Sequence, residues 1–237
     1  MHVLRLGRHG DHRDHRSRRR DRGVHRFDRH RRRRHPRGDG RPFPANGSNG
    51  PDVLAESGVV RSDITTSIGQ ASGVAEGVPL GISFVVTDVA TGKARSGAAV
   101  YAWHCTADGA YSLYSPGVED ENFLRGVQET ASDGTASFAS IFPGAYDGRW
   151  PHIHFEVYED LDAATNGGAP IATSQIALPE EACAAVYATE GYEASASNLR
   201  RTSLESDMVF ADGYESQLGT ATGSVDEGYT VALPVGI

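Results

Sequence analysis

The chain has 237 residues, 23 basic and 31 acidic side chains, and a formal net charge of −8. Residues 1–41 contain 16 Arg and 5 Asp, so the rest of the chain is strongly acidic. An acidic body argues against nucleic acid as its partner, because phosphate contacts need clustered Lys and Arg. No apolar run approaches the ~18 residues that a membrane span requires.

Residues 1–50 are predicted to be a low-complexity basic arm and linker, without regular structure. Arg, His, Asp and Gly dominate the stretch up to Arg41, and no hydrophobic period is present. Such an arm could bind nucleic acid, an acidic surface or, through its seven histidines, a metal. Runs of these residues also arise when GC-rich DNA is read out of frame. We therefore favour a mis-assigned start or frame, with a secretion signal that this N-terminus does not show.

Residues 51–237 are predicted to form the folded domain, and short strands dominate it. Asp108-Gly109, Asp133-Gly134 and Asn166-Gly167 are dipeptides typical of tight turns between strands. Apolar segments between such turns predict strands over residues 81–89, 97–105, 134–142, 152–160, 169–178 and 224–235.

One helix is predicted over residues 178–192. Pro179 suits a first helical turn, Glu180 and Glu181 complement the helix dipole, and Gly191 ends the segment. Together with the strands, this pattern predicts an all-β fold, an antiparallel β-sandwich with long loops and one or two short helices.

The stretch YDGRWPHIHF, residues 146–155, holds two of the three histidines that follow Arg41. On a strand, His152 and His154 share one face with Glu156, and the intervening apolar residues share the other. One metal ion could bridge two imidazoles at this spacing. For the isolated motif, an exposed strand that merely carries two histidines is an equally good interpretation.

Two tyrosines are further candidate residues for this site. Tyr146 lies in the Gly-Pro-rich loop before His152, and Tyr111 follows the Asp108-Gly109 turn. A tyrosine at a strand end usually serves packing or lies at the surface. If both converge with the histidines, two phenolates and two imidazoles favour ferric iron, because anionic oxygen donors stabilise the higher charge.

Four stretches carry a family resemblance: VYAWHCTADGAYS, ENFLRGVQETASDG, IFPGAYDGRWPHIHF and IATSQ. They resemble the intradiol ring-cleavage dioxygenases, the catechol, protocatechuate and hydroxyquinol dioxygenase type. The NFLRGVQ segment, the two cysteines and the tail RTSLESDMVFADGY are similar to the secreted bacterial branch of that family. The resemblance covers about residues 52–237.

The resemblance implies a single non-haem Fe(III) ion and a catechol-binding site. The implied ligands are Tyr111, Tyr146, His152 and His154. Tyr114 is close enough to be confused with Tyr111, but the family's ligand follows Gly-x, as Tyr111 does. Tyr146 would leave the metal and accept a substrate proton. Arg149 would stabilise negative charge on the substrate ring, and Gln175 would orient the neighbouring histidine or arginine.

The implied activity is insertion of both atoms of O2 into a catechol-type ring, with cleavage between the two hydroxylated carbons to a muconate-type diacid. The alternative is a secreted β-sandwich that binds a ligand or cell surface through a vestigial metal site. Catechol, hydroxyquinol, protocatechuate and lignin-derived catechols all stay open as substrates, although the acidic body favours uncharged rings. The oligomeric state is also open.

Cys105 and Cys183 are too far apart in sequence for a zinc or redox motif. By themselves they fit a disulfide or two buried free thiols equally well. The resemblance to a secreted branch favours the disulfide and an extracellular location.

Overall fold

The computed structural model describes residues 43–237, so residues 1–42 of the arm and linker predicted over residues 1–50 lie outside the described part. In that part, short turns and glycine-rich loops separate eight strands and three short helices. In chain order they are β1 Pro79–Thr87, β2 Ala99–Trp103, β3 Arg125–Glu129, β4 Thr135–Ile141, β5 His152–Tyr158, α1 Leu161–Thr165, β6 Ala172–Ala177, α2 Glu180–Val186, α3 Glu193–Leu199, β7 Thr220–Ser224 and β8 Gly228–Gly236.

The strands form two four-stranded sheets, in the orders β4-β1-β8-β7 and β3-β2-β5-β6. Every pair in the second sheet is antiparallel. In the first sheet β1 pairs with β4 antiparallel but with β8 parallel, Leu80 lying opposite Tyr229. A parallel pair requires a long connection, and here most of the domain lies between the two strands. The predicted all-β sandwich is confirmed, with one parallel pair and three helices instead of one or two.

The core lies between the two sheets and follows from the alternation of apolar residues along the strands. Phe84 of β1 meets Phe155 of β5 across the sandwich, with ring centroids 5.0 Å apart. The inward positions of β1, β5 and β8 are all buried: Leu80, Ile82, Phe84, Val86, Ile153, Phe155, Val157, Val231, Leu233 and Val235. The histidines of β5 therefore lie on the face that points away from this core.

That second face of β5 is also covered, since all seven residues of the strand are buried. Part of the cover comes from the start of the described chain, where Ala45 is fully buried and its N–H donates to the Tyr114 hydroxyl. The Pro44 carbonyl accepts from the Tyr101 hydroxyl at 2.7 Å. Packing thus begins before residue 51, and this part of the predicted linker lies against the domain.

The predicted helix over residues 178–192 is shorter in the structure, where α2 ends at Val186. The Thr189 N–H donates to the Val186 carbonyl in a turn that follows this end. A separate helix, α3, begins at Glu193. None of the helices within residues 43–237 has the length and apolar character needed to cross a membrane.

The predicted disulfide between Cys105 and Cys183 is not formed, and both residues are buried free thiols. Cys105 belongs to the apolar cluster on the outer side of the second sheet, and its thiol donates to the Gly144 carbonyl at 3.4 Å. Cys183 lies on the buried side of α2, in the core between the sheets. The two sulfurs therefore belong to different clusters.

Candidate metal centre

Four side chains converge where β5 begins. The Nε2 atoms of His152 and His154 are 3.0 Å apart, and the Tyr146 hydroxyl is 3.1 Å from His152 Nε2. The Tyr111 ring lies beside them, with its centroid 5.7 Å from that of Tyr146 and 6.1 Å from that of His154. The structure thus brings together all four residues that the resemblance implied as metal ligands.

The local fold explains this convergence. His152 and His154 are neighbours on one face of β5, and Tyr146 lies in the loop that joins β4 to β5. Gly109 of the predicted Asp-Gly turn has φ +92°, and a β-carbon there would lie 3.3 Å from Tyr146 Cβ. A glycine at this turn therefore allows the chain just before Tyr111 to approach Tyr146 closely.

The hydrogen bonds fix which histidine nitrogen is available. His152 Nδ1 lies 2.5 Å from the Trp150 carbonyl, so this nitrogen carries the proton and donates it. His152 Nε2 therefore presents a lone pair, and both the Tyr146 hydroxyl and His154 Nε2 lie within hydrogen-bond distance of it. One lone pair cannot accept from two donors at full strength, whereas a cation among these atoms would satisfy all of them.

Four further polar atoms at or beside the site are buried without a hydrogen-bond partner among residues 43–237: the Tyr111 hydroxyl, His154 Nδ1, Gln175 Nε2 and Trp103 Nε1. An unsatisfied buried polar group is costly, and native structures contain few of them. The orphaned Tyr111 oxygen, beside two histidine nitrogens and a second phenol, fits a site that is completed by a metal ion.

Burial sets the charge state of these groups in the absence of a metal. It lowers the pKa of His152 to about 3 and that of His154 well below the ordinary value, so both imidazoles are neutral and keep their lone pairs. It raises the pKa of Tyr146 to about 12 and that of Tyr111 well above 10. A bound cation would replace the two phenol protons. Two hard oxygen anions and two imidazoles suit ferric iron.

Aromatic rings pack against both histidines. Trp103 of β2 stacks on His154 with ring centroids 4.9 Å apart and an interplanar angle of 4°, and Tyr101 stacks on Trp103 in turn. Phe210 contacts His152 edge to face, at 6.4 Å between centroids. These contacts restrict the rotation of both imidazoles.

Arg149 and Gln175 also meet beside the histidines. Arg149 Nη2 donates to Gln175 Oε1 at 2.7 Å, and Gln175 lies opposite His154 in the pairing of β5 with β6. The guanidinium lies 5.9 Å from the centre of the Phe210 ring. Arg149 and Gln175 thus form a hydrogen-bonded pair beside His154.

Tyr114, the competing tyrosine, points elsewhere. Its hydroxyl accepts from the Ala45 N–H and donates to Asn49 Oδ1, so it tethers the segment that begins at Phe43. Among residues 43–237, no group of three or more His, Cys, Asp or Glu side chains could hold a metal, which leaves the mixed tyrosine and histidine set as the candidate.

Sequence reasoning missed two residues of this site, Trp103 and Asp207. Trp103 lies opposite His154 in the pairing of β2 with β5, and its ring stacks on the His154 imidazole. Asp207 is completely buried and accepts from Arg149 Nε at 2.8 Å. Asp207 lies within the tail RTSLESDMVFADGY that carries part of the family resemblance, and this tail was the signal in the sequence that could have indicated it.

No family model matches the chain. It is 42% identical over 57 residues to a chlorocatechol 1,2-dioxygenase of Rhodococcus opacus, a match that covers 24% of this chain and 22% of the relative. The chain spans less than a third of the length of the curated relatives it matches.

Among solved structures, an intradiol ring-cleavage dioxygenase from Tetranychus urticae matches with a TM-score of 0.64 and 27% identity, over 77% of this chain and 88% of that one. A catechol 1,2-dioxygenase from Pseudomonas arvilla C-1 shares the fold with a TM-score of 0.53 and 18% identity, over 85% of this chain and 61% of that one. The predicted relationship to the intradiol ring-cleavage dioxygenases is confirmed, and the predicted enzyme class is the one that these proteins' names state.

Proposed function

We propose that this chain, a relative of the intradiol ring-cleavage dioxygenases, is a non-haem Fe(III) enzyme that cleaves a catechol-type ring between its two hydroxylated carbons. Both atoms of O2 enter the product, a muconate-type diacid. The observation that carries the proposal is that the Tyr146 hydroxyl and His154 Nε2 both lie within 3.1 Å of His152 Nε2, beside the Tyr111 hydroxyl, which has no hydrogen-bond partner among residues 43–237.

The residues that would hold the iron are Tyr111, Tyr146, His152 and His154. When bound there, ferric iron supplies Lewis acidity, which lowers the pKa values of the catechol hydroxyls and holds the ring in place. The chain contributes the rigid support for these ligands, because His154 is stacked on Trp103 and His152 donates to the Trp150 carbonyl.

The two tyrosines are suited to different roles. Both lie in loops, but Tyr111 is 1% exposed and is enclosed by packed side chains, whereas Tyr146 is only partly buried. The greater exposure of Tyr146 supports the proposal that Tyr146 accepts a proton from the incoming catechol. Its phenolate would become a neutral phenol, which burial favours.

Arg149 would stabilise negative charge on the substrate. Its hydrogen bonds to Asp207 and Gln175 use Nε and Nη2, so Nη1 is the guanidinium nitrogen that remains to face a substrate. A fixed cation of this kind stabilises charge that develops in the transition state without having to reorganise. Gln175 holds one edge of the guanidinium.

The first test is the visible absorption spectrum of protein loaded with iron, recorded before and after catechol is added without oxygen. We expect a tyrosinate-to-iron band that shifts when catechol binds. Tyr111→Phe should weaken and shift this band, because Tyr146 then remains as the one tyrosinate donor, while the matched control Tyr114→Phe, whose hydroxyl contacts Ala45 and Asn49, should leave it unchanged. A wild-type protein that stays colourless with added iron would refute the proposal and favour a binding protein with a vestigial site.

The second test follows the oxygen atoms. With catechol and ¹⁸O2, an intradiol dioxygenase gives a diacid in which both atoms of one O2 molecule are incorporated, which mass spectrometry detects. A quinone product, or a diacid with one labelled oxygen, would mean that a coloured iron site carries out a different reaction. Comparing catechol with carboxylated and hydroxylated rings in the same assay identifies the substrate class.

We also propose that the protein acts outside the cell, on the basis of its resemblance to the secreted branch. Terminal sequencing and mass spectrometry of the protein from its natural host test this proposal. Arginine-rich peptides from residues 1–41 in cell-associated protein would contradict both export and the mis-assigned start.

A further inference from the structure

Asp207 lies in the segment that follows α3, and none of the roles assigned above uses its carboxylate. The residue is 0% exposed. One carboxylate oxygen accepts from Arg149 Nε at 2.8 Å and from the Trp150 N–H at 2.7 Å. The other accepts from the backbone N–H groups of Val209 at 2.8 Å and Phe210 at 3.2 Å. All of these donors come from the approach to β5 or from the turn that begins at Asp207.

These contacts fix the position of the Asp207 carboxylate. Its backbone donors hold it in one orientation, so it fixes the direction of the Arg149 guanidinium. The same turn places the Phe210 ring against both Arg149 and His152. Arg149 is thereby held on three sides, by Asp207, by Gln175 and by the ring of Phe210.

The carboxylate is ionised in this setting. Burial alone would raise the pKa of Asp207, but hydrogen bonds from Trp150, Arg149 and Val209 hold it below the ordinary value. A buried ion pair whose remaining hydrogen bonds are satisfied is geometrically well defined, and loss of one partner leaves an uncompensated charge. A guanidinium that is already oriented loses little freedom when it binds a substrate.

We infer that Asp207 is a positioning residue for the proposed reaction, acting through Arg149. It aligns the guanidinium so that Nη1 faces the substrate, and it touches neither the metal ligands' donor atoms nor the reacting atoms. This inference rests on the proposed function, because it assigns Asp207 its role through a residue of that reaction.

The test compares Asp207→Asn with the control Asp212→Asn, which removes the same charge from an exposed residue five positions along. In metal-free protein, nitrogen NMR should show slow solvent exchange of the Arg149 Nε–H in the wild type and the control, and fast exchange in Asp207→Asn. In iron-loaded protein, kcat should fall about 10–100-fold in Asp207→Asn, with the iron content and the substrate-free visible band unchanged. The KM for catechol should change little, because the lost interaction acts in the transition state.

A double-mutant cycle keeps the test valid if Asp207→Asn folds poorly. In an Arg149→Met background no buried cation is left unpaired, so removal of the Asp207 charge is tolerated. If Asp207 acts through Arg149, adding Asp207→Asn to Arg149→Met should change kcat less than about threefold. If the two residues act independently, the fold-losses of kcat from the two substitutions should multiply. Multiplied losses, unchanged Nε–H exchange or equal losses of iron and kcat would overturn the inference. A colourless wild type would refute the proposed function instead, and the NMR measurement would still report on the contact with Arg149.

Discussion

Arg125 is a fully buried arginine whose hydrogen bonds all go to neutral oxygen atoms, and its replacement tests how the Tyr111 loop is held. Its guanidinium donates to the Phe43 carbonyl at 2.7 Å and to the Ser112 carbonyl at 2.9 Å. It also donates to the hydroxyls of Ser112 at 3.0 Å and Tyr101 at 3.2 Å. One side chain thus joins the start of the described chain, β2 and the residue after Tyr111.

The change Arg125→Met keeps an unbranched side chain and removes all the donors. The two hydroxyls keep partners, since Ser112 still donates to the Phe123 carbonyl and Tyr101 to the Pro44 carbonyl. The two backbone carbonyls lose their guanidinium donors, at about 1–3 kcal/mol for each unsatisfied buried group. Relief of a desolvated charge offsets part of this cost. We expect a net loss of about 2–4 kcal/mol in the free energy of unfolding.

Urea unfolding measures this loss directly, and the melting temperature should fall by about 4–16 °C for a domain of this size. Arg200→Met, at an exposed position after α3, is the matched control and should change stability by less than about 0.5 kcal/mol. A loss below about 1 kcal/mol in Arg125→Met, or a gain, would refute the reasoning. It would mean that the cost of burying the charge equals or exceeds the value of its hydrogen bonds.

Three further predictions concern the site and its surroundings. Tyr146→Phe should keep a visible band through Tyr111 but turn over catechol about 10²–10⁴-fold more slowly, because the substitution removes the proposed proton acceptor. Stopped-flow kinetics measures this rate, and unchanged turnover would exclude that role for Tyr146. Burial lowers the pKa of His104 to about 4 from 6.5, so the unfolded state binds a proton first and stability is lost as the pH falls from 6.5 to 4. This contribution amounts to about 3 kcal/mol and should be absent from the stability-versus-pH curve of His104→Gln; superimposable curves would contradict it. Cys105 and Cys183 should resist a thiol reagent in the folded protein and both react in denaturant without reductant, whereas a disulfide would leave no reactive thiol.

The sequence was most informative where apolar and polar residues alternate along a strand. In β5 the predicted division between Ile153, Phe155 and Val157 on one face and His152 and His154 on the other matches the structure, because the strand period of two follows from backbone geometry alone. Alternation cannot show that the histidine face is also covered. Part of that cover comes from residues 43–53, which touch β5 through contacts distant in sequence, such as Asn46 with Glu156.

The convergence of Tyr111 with the histidines was reachable only through the family resemblance. Tyr111 and His154 are far apart in sequence, and no local pattern relates them. The strand β3 was missed because its sequence, RGVQE, contains one apolar side chain among polar ones. The first of these polar residues, Arg125, is nevertheless fully buried, because its donors find acceptors that only the folded chain brings near.

The position of β8 in its sheet has a consequence for how the domain folds during synthesis. This strand is an inner one, between β1 and β7, yet it is the last element along the described chain. Until residues 228–236 leave the ribosome, β1 has an open edge and the first sheet cannot close. Pairings so distant in sequence form slowly, so the apolar face of the incomplete first sheet stays exposed in the nascent chain until β8 pairs. The four candidate metal ligands, two on β5 and two in loops, are translated well before that closure. Premature stops within β8 should therefore give aggregated protein rather than a shortened active one.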